Sequence, residues 1–343
     1  MGTKRVGIVG ASGYGGVELV RLLTAHPGFD VASVAAHSQA GTPVAQLFPN
    51  LAGSGVFDPI DIDSLARMDA VFLATPHDAA IGLAAELFAA GTPTIDLSAA
   101  FRLDADGFAH WYHEPHPKPE LLQHAVYGLT EFARSEIVGS KLVANPGCYV
   151  ITALLGLLPL TGLIRPGSVV IDGKSGTSGA GRAAKDQLHF SHVDGSITAY
   201  GAPTHRHTGE IERYLHRFGQ ADLGPVSFTP HLVPMPRGLL ITAYAHLDDG
   251  VNADDIQQAL VDRYVDEPFV HVLEPGVFPV TKAVVGSNAC QVSAIVDERT
   301  QRVVVTSVTD NLGKGAAGSA IQNANLMMGY DETTGLSSIG VYP

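Results

Sequence analysis

Val6-Gly7-Ile8-Val9, running straight into Gly10-Ala11-Ser12-Gly13-Tyr14-Gly15-Gly16, is the stretch that decides the fold. The four leading residues have the length and apolar character of a buried strand. Val17, Val20, Arg21 and Leu23 to Ala25 then read as a helix, which His26-Pro27-Gly28 closes. A glycine-rich turn between a strand and a helix is the first half of a βαβ unit. Outward from it the alternation continues. Val31 to Ala36 reads as a strand, Ala70 to Ala74 as another, Ala79 to Ala90 as a helix ended by Gly91, and Thr94 to Leu97 as a strand. The fold class expected is α/β, a Rossmann-type doubly wound parallel sheet.

Beyond Cys148 the texture changes. Ser168 to Asp172, Val226 to Pro230, Leu239 to His246, Gln291 to Asp297 and Arg302 to Thr309 are strand-like and rich in β-branched residues. They lie among long loops with a few helical stretches, at Thr208 to Phe218, Ala253 to Tyr264 and Gly315 to Met328. The expected division is a dinucleotide-binding domain of residues 1–148 with 314–343, and an α+β catalytic and dimerisation domain of residues 149–313.

Composition narrows the partners. Of the 343 residues, 45% are hydrophobic and 16% charged, and the formal charge is −13. Disorder is excluded as the main state, and so is the basic surface that a nucleic acid or an anionic membrane requires. Residues 142–164 carry no charge, but Asn145-Pro146-Gly147 and Pro159 break them into a helix of about a dozen residues, too short to span a bilayer. No signal-like apolar core follows Lys4-Arg5. Two distant cysteines make no disulfide scaffold, and a cytoplasmic location follows as the expectation.

The glycines are spaced Gly10, Gly13, Gly16, and their backbone amides at a helix N-terminus suit a pyrophosphate. The second strand selects between cofactors. An acid near its end would hold the ribose 2′-hydroxyl of NAD, yet no Asp or Glu occurs from Val31 to Phe57 and His37-Ser38 stands in its place. NADP is therefore expected. Gly173-Lys174-Ser175 imitates a phosphate loop, but its spacing is wrong and the preceding residues read as strand. No G-x-S-x-G elbow occurs.

Asn145-Pro146-Gly147-Cys148-Tyr149 places a cysteine at the start of the apolar helix Val150 to Leu158, where dipole and amides stabilise a thiolate. Cys290, inside a regular apolar strand, reads as structural. A thiolate needs an acid/base partner. His110, His113 and His116 are interrupted by Pro115, Pro117 and Pro119 and make no metal site, so no metal is expected. His205-Arg206-His207 opens a helix with polar groups at its start and is the better source of an imidazole.

These residues and their neighbours resemble the N-acetyl-γ-glutamyl-phosphate reductase family, within the wider aspartate-semialdehyde dehydrogenase group. The resemblance runs through GASGYGG (10–16), DLSAAFR (96–102), YGLTE (127–131), NPGCY (145–149) and DGKSGTSGAGR (172–182). It continues through PTHRHTGEIE (203–212), FTPHLVPMPRGLL (228–240), TKAVVGSN (281–288) and DNLGKGAAGSAIQNAN (310–325). Ala100, Thr130 and His37 depart from the family pattern at single positions.

The resemblance implies Cys148 as nucleophile, His207 as acid/base and Glu210 as its orienting group. It implies cofactor contacts at Gly10, Ser12, Gly13, Tyr14, Gly15, Gly16 and Ser38, with Ser175, Gly176, Ser178, Gly179, Ala180 and Asn311 on the nicotinamide side. Substrate contacts are implied at Arg102, Asn145, Arg182, His205 and Arg237, with Arg206 a further candidate anion holder. The implied reaction is NADPH-dependent reduction of a small acyl phosphate in arginine biosynthesis, by a homo-oligomer, dimer or tetramer. Two other readings stand beside it: a reductase of aminoadipyl phosphate on an acidic carrier protein, disfavoured by 21 Lys+Arg against 34 Asp+Glu, and a non-enzymatic NADP sensor, which would need neither Cys148 nor His207.

Overall fold

A computed structural model describes residues 2–219 and 221–342. Its helices of eight residues or more are α1 (Tyr14–Thr24), α2 (His77–Ala89), α3 (Ala105–Tyr112), α4 (Thr130–Ile137), α5 (Cys148–Leu157), α6 (His207–Phe218), α7 (Ala253–Tyr264) and α8 (Gly318–Met328). The chain forms two compact units. One contains the stretch up to Ala109, Glu114–Gly147 and Ala316–Leu336; the other contains His110–His113, Cys148–Gly315 and the tail from Ser337.

The first unit is built on six parallel strands, β1 (Lys4–Val9), β2 (Phe29–Ala35), β3 (Ala70–Leu73), β4 (Thr94–Asp96), β5 (Ala125–Tyr127) and β6 (Leu142–Ala144). Their order is β2-β1-β3-β4-β6-β5. All four residues of β3 and all three of β6 are buried, as strands covered on both faces must be. The order reverses direction at β1, which has β2 on one side and β3 on the other. Doubly wound sheets bind ligands at the carboxyl ends of the strands at such a point, and GASGYGG begins there.

The second unit carries a seven-stranded mixed sheet of β7 (Val170–Gly176), β8 (Thr198–Ala199), β9 (Ser227–Val233), β10 (Leu239–His246), β11 (Val270–Val272), β12 (Cys290–Asp297) and β13 (Arg302–Thr309). The order is β11-β12-β13-β10-β7-β9-β8. Leu239, Ile241, Ala243 and Ala245 of β10 are buried and alternate with half-buried residues, the period of two that one covered face imposes. Helix α5 supplies part of that cover. Tyr149 through Leu157 are all buried, the Thr152 and Thr309 hydroxyls lie 2.8 Å apart, and the Ser307 hydroxyl donates to the Thr152 carbonyl at 2.7 Å. Among the described residues no helix is long and apolar enough to cross a membrane.

The two units depart from the expected division in four places: Cys148 and residues 314–315 fall in the second unit, and so do two further stretches. The tail is expected in the first domain, yet Ser337 accepts from the Asn288 amide at 2.7 Å and Val341 donates to the Val285 carbonyl at 2.7 Å, which ties it to the second unit. Residues 110–113 also pack there, because Trp111 lies against Gly209. The expected limits at residues 1 and 343 lie outside the described residues. Gly173-Lys174-Ser175 is strand, as its neighbours indicated. Of the three spaced histidines, His110 is on α3, His113 has φ 60°, and buried His116 has Nε2 3.0 Å from the Ala100 carbonyl. They share no helix.

Candidate active site

In the first unit the glycine turn is shaped by close backbone approach. Gly10 has φ +83°, and a Cβ there would collide with the Ala74 carbonyl; one at Gly16 would strike the Gly10 carbonyl. Gly15 faces open space, and Gly13 has only the Gly10 oxygen at 3.4 Å. Ser12 and Tyr14 are half-buried, and α1 starts with no side-chain cap on its first turn. This uncapped helix end, with a glycine cradle in front of it, fits the pyrophosphate of a dinucleotide. Ser38 is exposed beyond the end of β2. The first acid after β2, Asp58, is committed: its Oδ2 accepts from the Ser33 hydroxyl and the Val34 amide, both at 2.9 Å. No carboxylate in residues 31–57 opposes a 2′-phosphate.

The DLSAAFR block folds back on itself. Asp96 is fully buried and accepts from the Ser98 amide at 2.9 Å and the Ser98 hydroxyl at 2.8 Å. Burial pushes its carboxyl up to about 6, against the opposing Ser98 hydrogen bonds and the Arg102 charge. Arg102, 6% exposed, donates Nε to the Asn145 carbonyl and Nη2 to the Leu97 carbonyl, each at 2.8 Å. Asn145 is 1% exposed; its Nδ2 donates to Ser319 Oγ at 3.1 Å and its Oδ1 accepts from Asn323 Nδ2 at 3.1 Å. Both residues, expected at the substrate, also hold the turn that leads into Cys148.

In the second unit Cys148 is the first residue of α5 and is half-buried, whereas Cys290 is fully buried in β12. A Cβ on Gly315 would stand 3.0 Å from the Cys148 Cβ, so only glycine lets the Gly313–Ala317 turn lie this close to the cysteine. The next residue, Tyr149, lays its ring where a Cβ on Gly173 would be. Its hydroxyl donates to the His231 carbonyl at 2.9 Å and accepts from the Tyr200 hydroxyl at 3.3 Å. Burial raises the Tyr149 phenol, so it stays a protonated donor at neutral pH. The Tyr149 ring meets both candidate imidazoles edge-on, His205 at 6.1 Å and His207 at 5.9 Å between centroids. The two imidazoles are 4.8 Å apart.

Their roles in the local structure differ. His205 Nδ1 accepts the His207 amide at 3.2 Å. Burial, and then the Arg206 charge, hold His205 down at about 4, so at neutral pH it is uncharged with its proton on Nε2. His207 is half-buried at the first residue of α6, and Glu210, 3% exposed, is three residues on and therefore on the same helix face. Trp111 covers Gly209 so closely that a Cβ there has no room, and the Arg206 guanidinium lies 4.9 Å over the Tyr112 ring. Trp111 and Tyr112 were not foreseen, because a contact spanning about a hundred residues leaves no local trace.

The remaining expected residues form a web of loops in the same unit. Asn311 accepts from the Gly238 amide at 2.8 Å through Oδ1 and donates to Ser178 Oγ at 2.8 Å. Gly179 lies against Ser175 Oγ, while Ser175 and Gly176 are buried and Ala180 is half-buried. Arg237 donates Nε to Asp310 Oδ1 at 3.2 Å, and its Nη2 is 2.7 Å from Oδ2. Asp310, 0% exposed, also accepts from the Gly286 amide at 2.6 Å and the Leu312 amide at 2.9 Å. Arg182 is exposed, at the start of an exposed excursion over residues 181–201.

A dinucleotide-type glycine turn, a cysteine at a helix start and a half-buried imidazole pair define a dehydrogenase of the semialdehyde class. Residues 5–140 match the family model of the semialdehyde dehydrogenase NAD binding domain, and residues 148–311 match that of its dimerisation domain. In fold the chain is similar to aspartate semialdehyde dehydrogenase II of Vibrio cholerae, with TM-score 0.72, 15% identity and coverage of 95% and 98% of the two chains. It is also similar to the Candida albicans aspartate semialdehyde dehydrogenase, with TM-score 0.67 and 17% identity, covering 94% and 98%. The N-acetyl-gamma-glutamyl-phosphate reductases of Brevibacillus brevis and Pseudomonas fluorescens are each 47% identical to it, over 99% of both chains. The chain belongs to the N-acetyl-γ-glutamyl-phosphate reductase family. The carrier-protein reductase and the NADP sensor find no support among these relatives.

Proposed function

We propose that this chain reduces N-acetyl-γ-glutamyl phosphate to N-acetylglutamate 5-semialdehyde, releasing phosphate, as a step of arginine biosynthesis, with Cys148 as nucleophile. The observation that carries the assignment is the setting of Cys148: first residue of a buried helix, pressed by Gly315, with His205 and His207 around the adjoining Tyr149 ring. The thiolate attacks the acyl carbon, the bond to the phosphate oxygen breaks, and a thioester forms. Gly10 to Gly16 and Ser38 would hold NADPH, with the Ser175–Ala180 and Asn311 loops toward its nicotinamide; when bound it would supply the hydride for reduction of this thioester. His207 moves the proton: it takes one from the thiol and returns one as the thiohemiacetal on Cys148 collapses to aldehyde. Glu210 orients its imidazole. Amides at the start of α5 hold the developing oxyanion.

Arg237, fixed by Asp310, and Arg182 serve the substrate anions, and His205 contributes its Nε2–H. Arg102 and Asn145 act by holding the turn before Cys148. The protein works in the cytoplasm as a homo-oligomer, a dimer or tetramer. The test is phosphate-dependent reduction of NADP with N-acetylglutamate semialdehyde, its unacetylated analogue and the aminoadipate analogue. Preference for the first supports the reading; equal use of the third overturns it.

A further inference from the structure

Lys314 is 1% exposed. A lysine is almost never fully buried without a partner, and taking an ammonium out of water costs several kcal/mol unless something on the protein compensates. Its Nζ lies 5.7 Å from the centroid of the Phe269 ring, itself 2% exposed, so part of the compensation is an aromatic face. The residue sits in the π-helical turn Gly313–Ala317 that precedes α8, and single π turns gather at functional sites. This turn is confined on both sides. A Cβ on Gly313 would collide with the Ser287 carbonyl, and one on Gly315 would press on the Asp310 carbonyl and on Cys148. The Gly315 amide donates to the Asp310 carbonyl at 2.9 Å.

We propose that Lys314 is a positioning residue for the nucleophile: its buried side chain, seated over Phe269, fixes the π turn, which holds Gly315 against Cys148. The proposal rests on the reading of Cys148 as nucleophile. A methionine would fill the same volume without the charge, so packing alone does not explain a lysine here. The turn beside the thiol sets the thiolate's surroundings, and a displacement of about 1 Å at a reacting group costs on the order of 10²-fold in rate.

The experiment compares wild type, Lys314→Met, Lys314→Arg and Cys148→Ala in steady-state turnover, in thermal melting and in the pH profile of Cys148 alkylation by iodoacetamide. Lys314→Met is expected to lose roughly 10²-fold in kcat with KM little changed, and its alkylation profile is expected to move to higher pH. Lys314→Arg is expected to recover part of both. If Lys314→Met fails to fold, the Arg variant and Phe269→Leu, which removes the aromatic partner, carry the test through the same alkylation profile. A folded Lys314→Met with wild-type kcat and profile overturns the proposal. So does a loss of kcat with no change in the profile, which marks a purely structural residue. Full activity in Cys148→Ala overturns the reading beneath it instead.

Discussion

His205 and His207 are two residues apart, and both touch the Tyr149 ring, so proximity to Cys148 does not separate them. Their protons do. His205 spends Nδ1 on the His207 amide and is held uncharged by burial, which suits a fixed hydrogen-bond donor and not a group that cycles a proton at neutral pH. His207→Asn is therefore expected to lose about 10²–10⁴-fold in turnover, the usual range for a general acid/base, and to move the alkylation profile of Cys148. His205→Asn is expected to lose less and to leave that profile nearly in place. Turnover and alkylation on both variants decide it, and a larger loss in both from His205→Asn exchanges the roles. Asn145 and Arg102 teach a related lesson. The NPGC and DLSAAFR motifs single them out, but a motif does not show the bonds by which they hold the turn beside Cys148. Those bonds run from Asn145 to Ser319 and Asn323, far away in the chain.

The end of β2 sets the cofactor. With Asp58 engaged on Ser33 and Val34, no acid competes for the ribose there. Ser38→Asp is expected to weaken NADP much more than NAD by placing a carboxylate beside the 2′-phosphate. Equal use of NAD and NADP by the wild type contradicts this. The long elements were legible for physical reasons. β10 and β13 are eight residues each, long enough for alternation or a β-branched run to stand out, and α7 has helical spacing. β5, β6 and β11 have three residues and β8 has two, too few for any period, and the sequence does not mark them; β4, equally short, is legible only because Gly91 closes the helix before it. α3 was also missed: the prolines that argued against a helix begin only at Pro115, after α3 has ended at Tyr112. The Trp111–Gly209 contact that places residues 110–113 in the second unit is set by tertiary packing alone.

The molecule as a whole carries several histidines that folding keeps uncharged. Burial lowers His26, His116 and His205. His26 accepts the Gly28 amide at 3.0 Å and the Phe29 amide at 3.1 Å through Nδ1, with Nε2 3.0 Å from Asn325 Oδ1. Their folded values lie below the unfolded value near 6.5, so between the two the unfolded chain binds more protons and stability falls as pH falls. Each such group contributes a slope of at most about 1.4 kcal/mol per pH unit. Asp96 works the other way. Its carboxyl is raised to about 6, so from about 6 down to about 4 the folded state binds the extra proton and is favoured as pH falls. Melting temperature is therefore expected to fall as pH is lowered below 6.5, with Asp96 offsetting part of the fall from about 6 to about 4. His26→Gln, melted across the same range, is expected to show a shallower dependence; an unchanged slope removes His26 from this account.

The account turns on an acyl group carried by Cys148. Incubating the protein with N-acetyl-γ-glutamyl phosphate in the absence of NADPH, quenching in acid and mapping the peptides by mass spectrometry observes that bond directly. The expected result is a single N-acetylglutamyl adduct on the peptide containing Cys148, absent from the one containing Cys290, and lost on addition of NADPH as semialdehyde appears. An adduct on another residue that is chased to product, or full turnover in a Cys148→Ala protein, contradicts it.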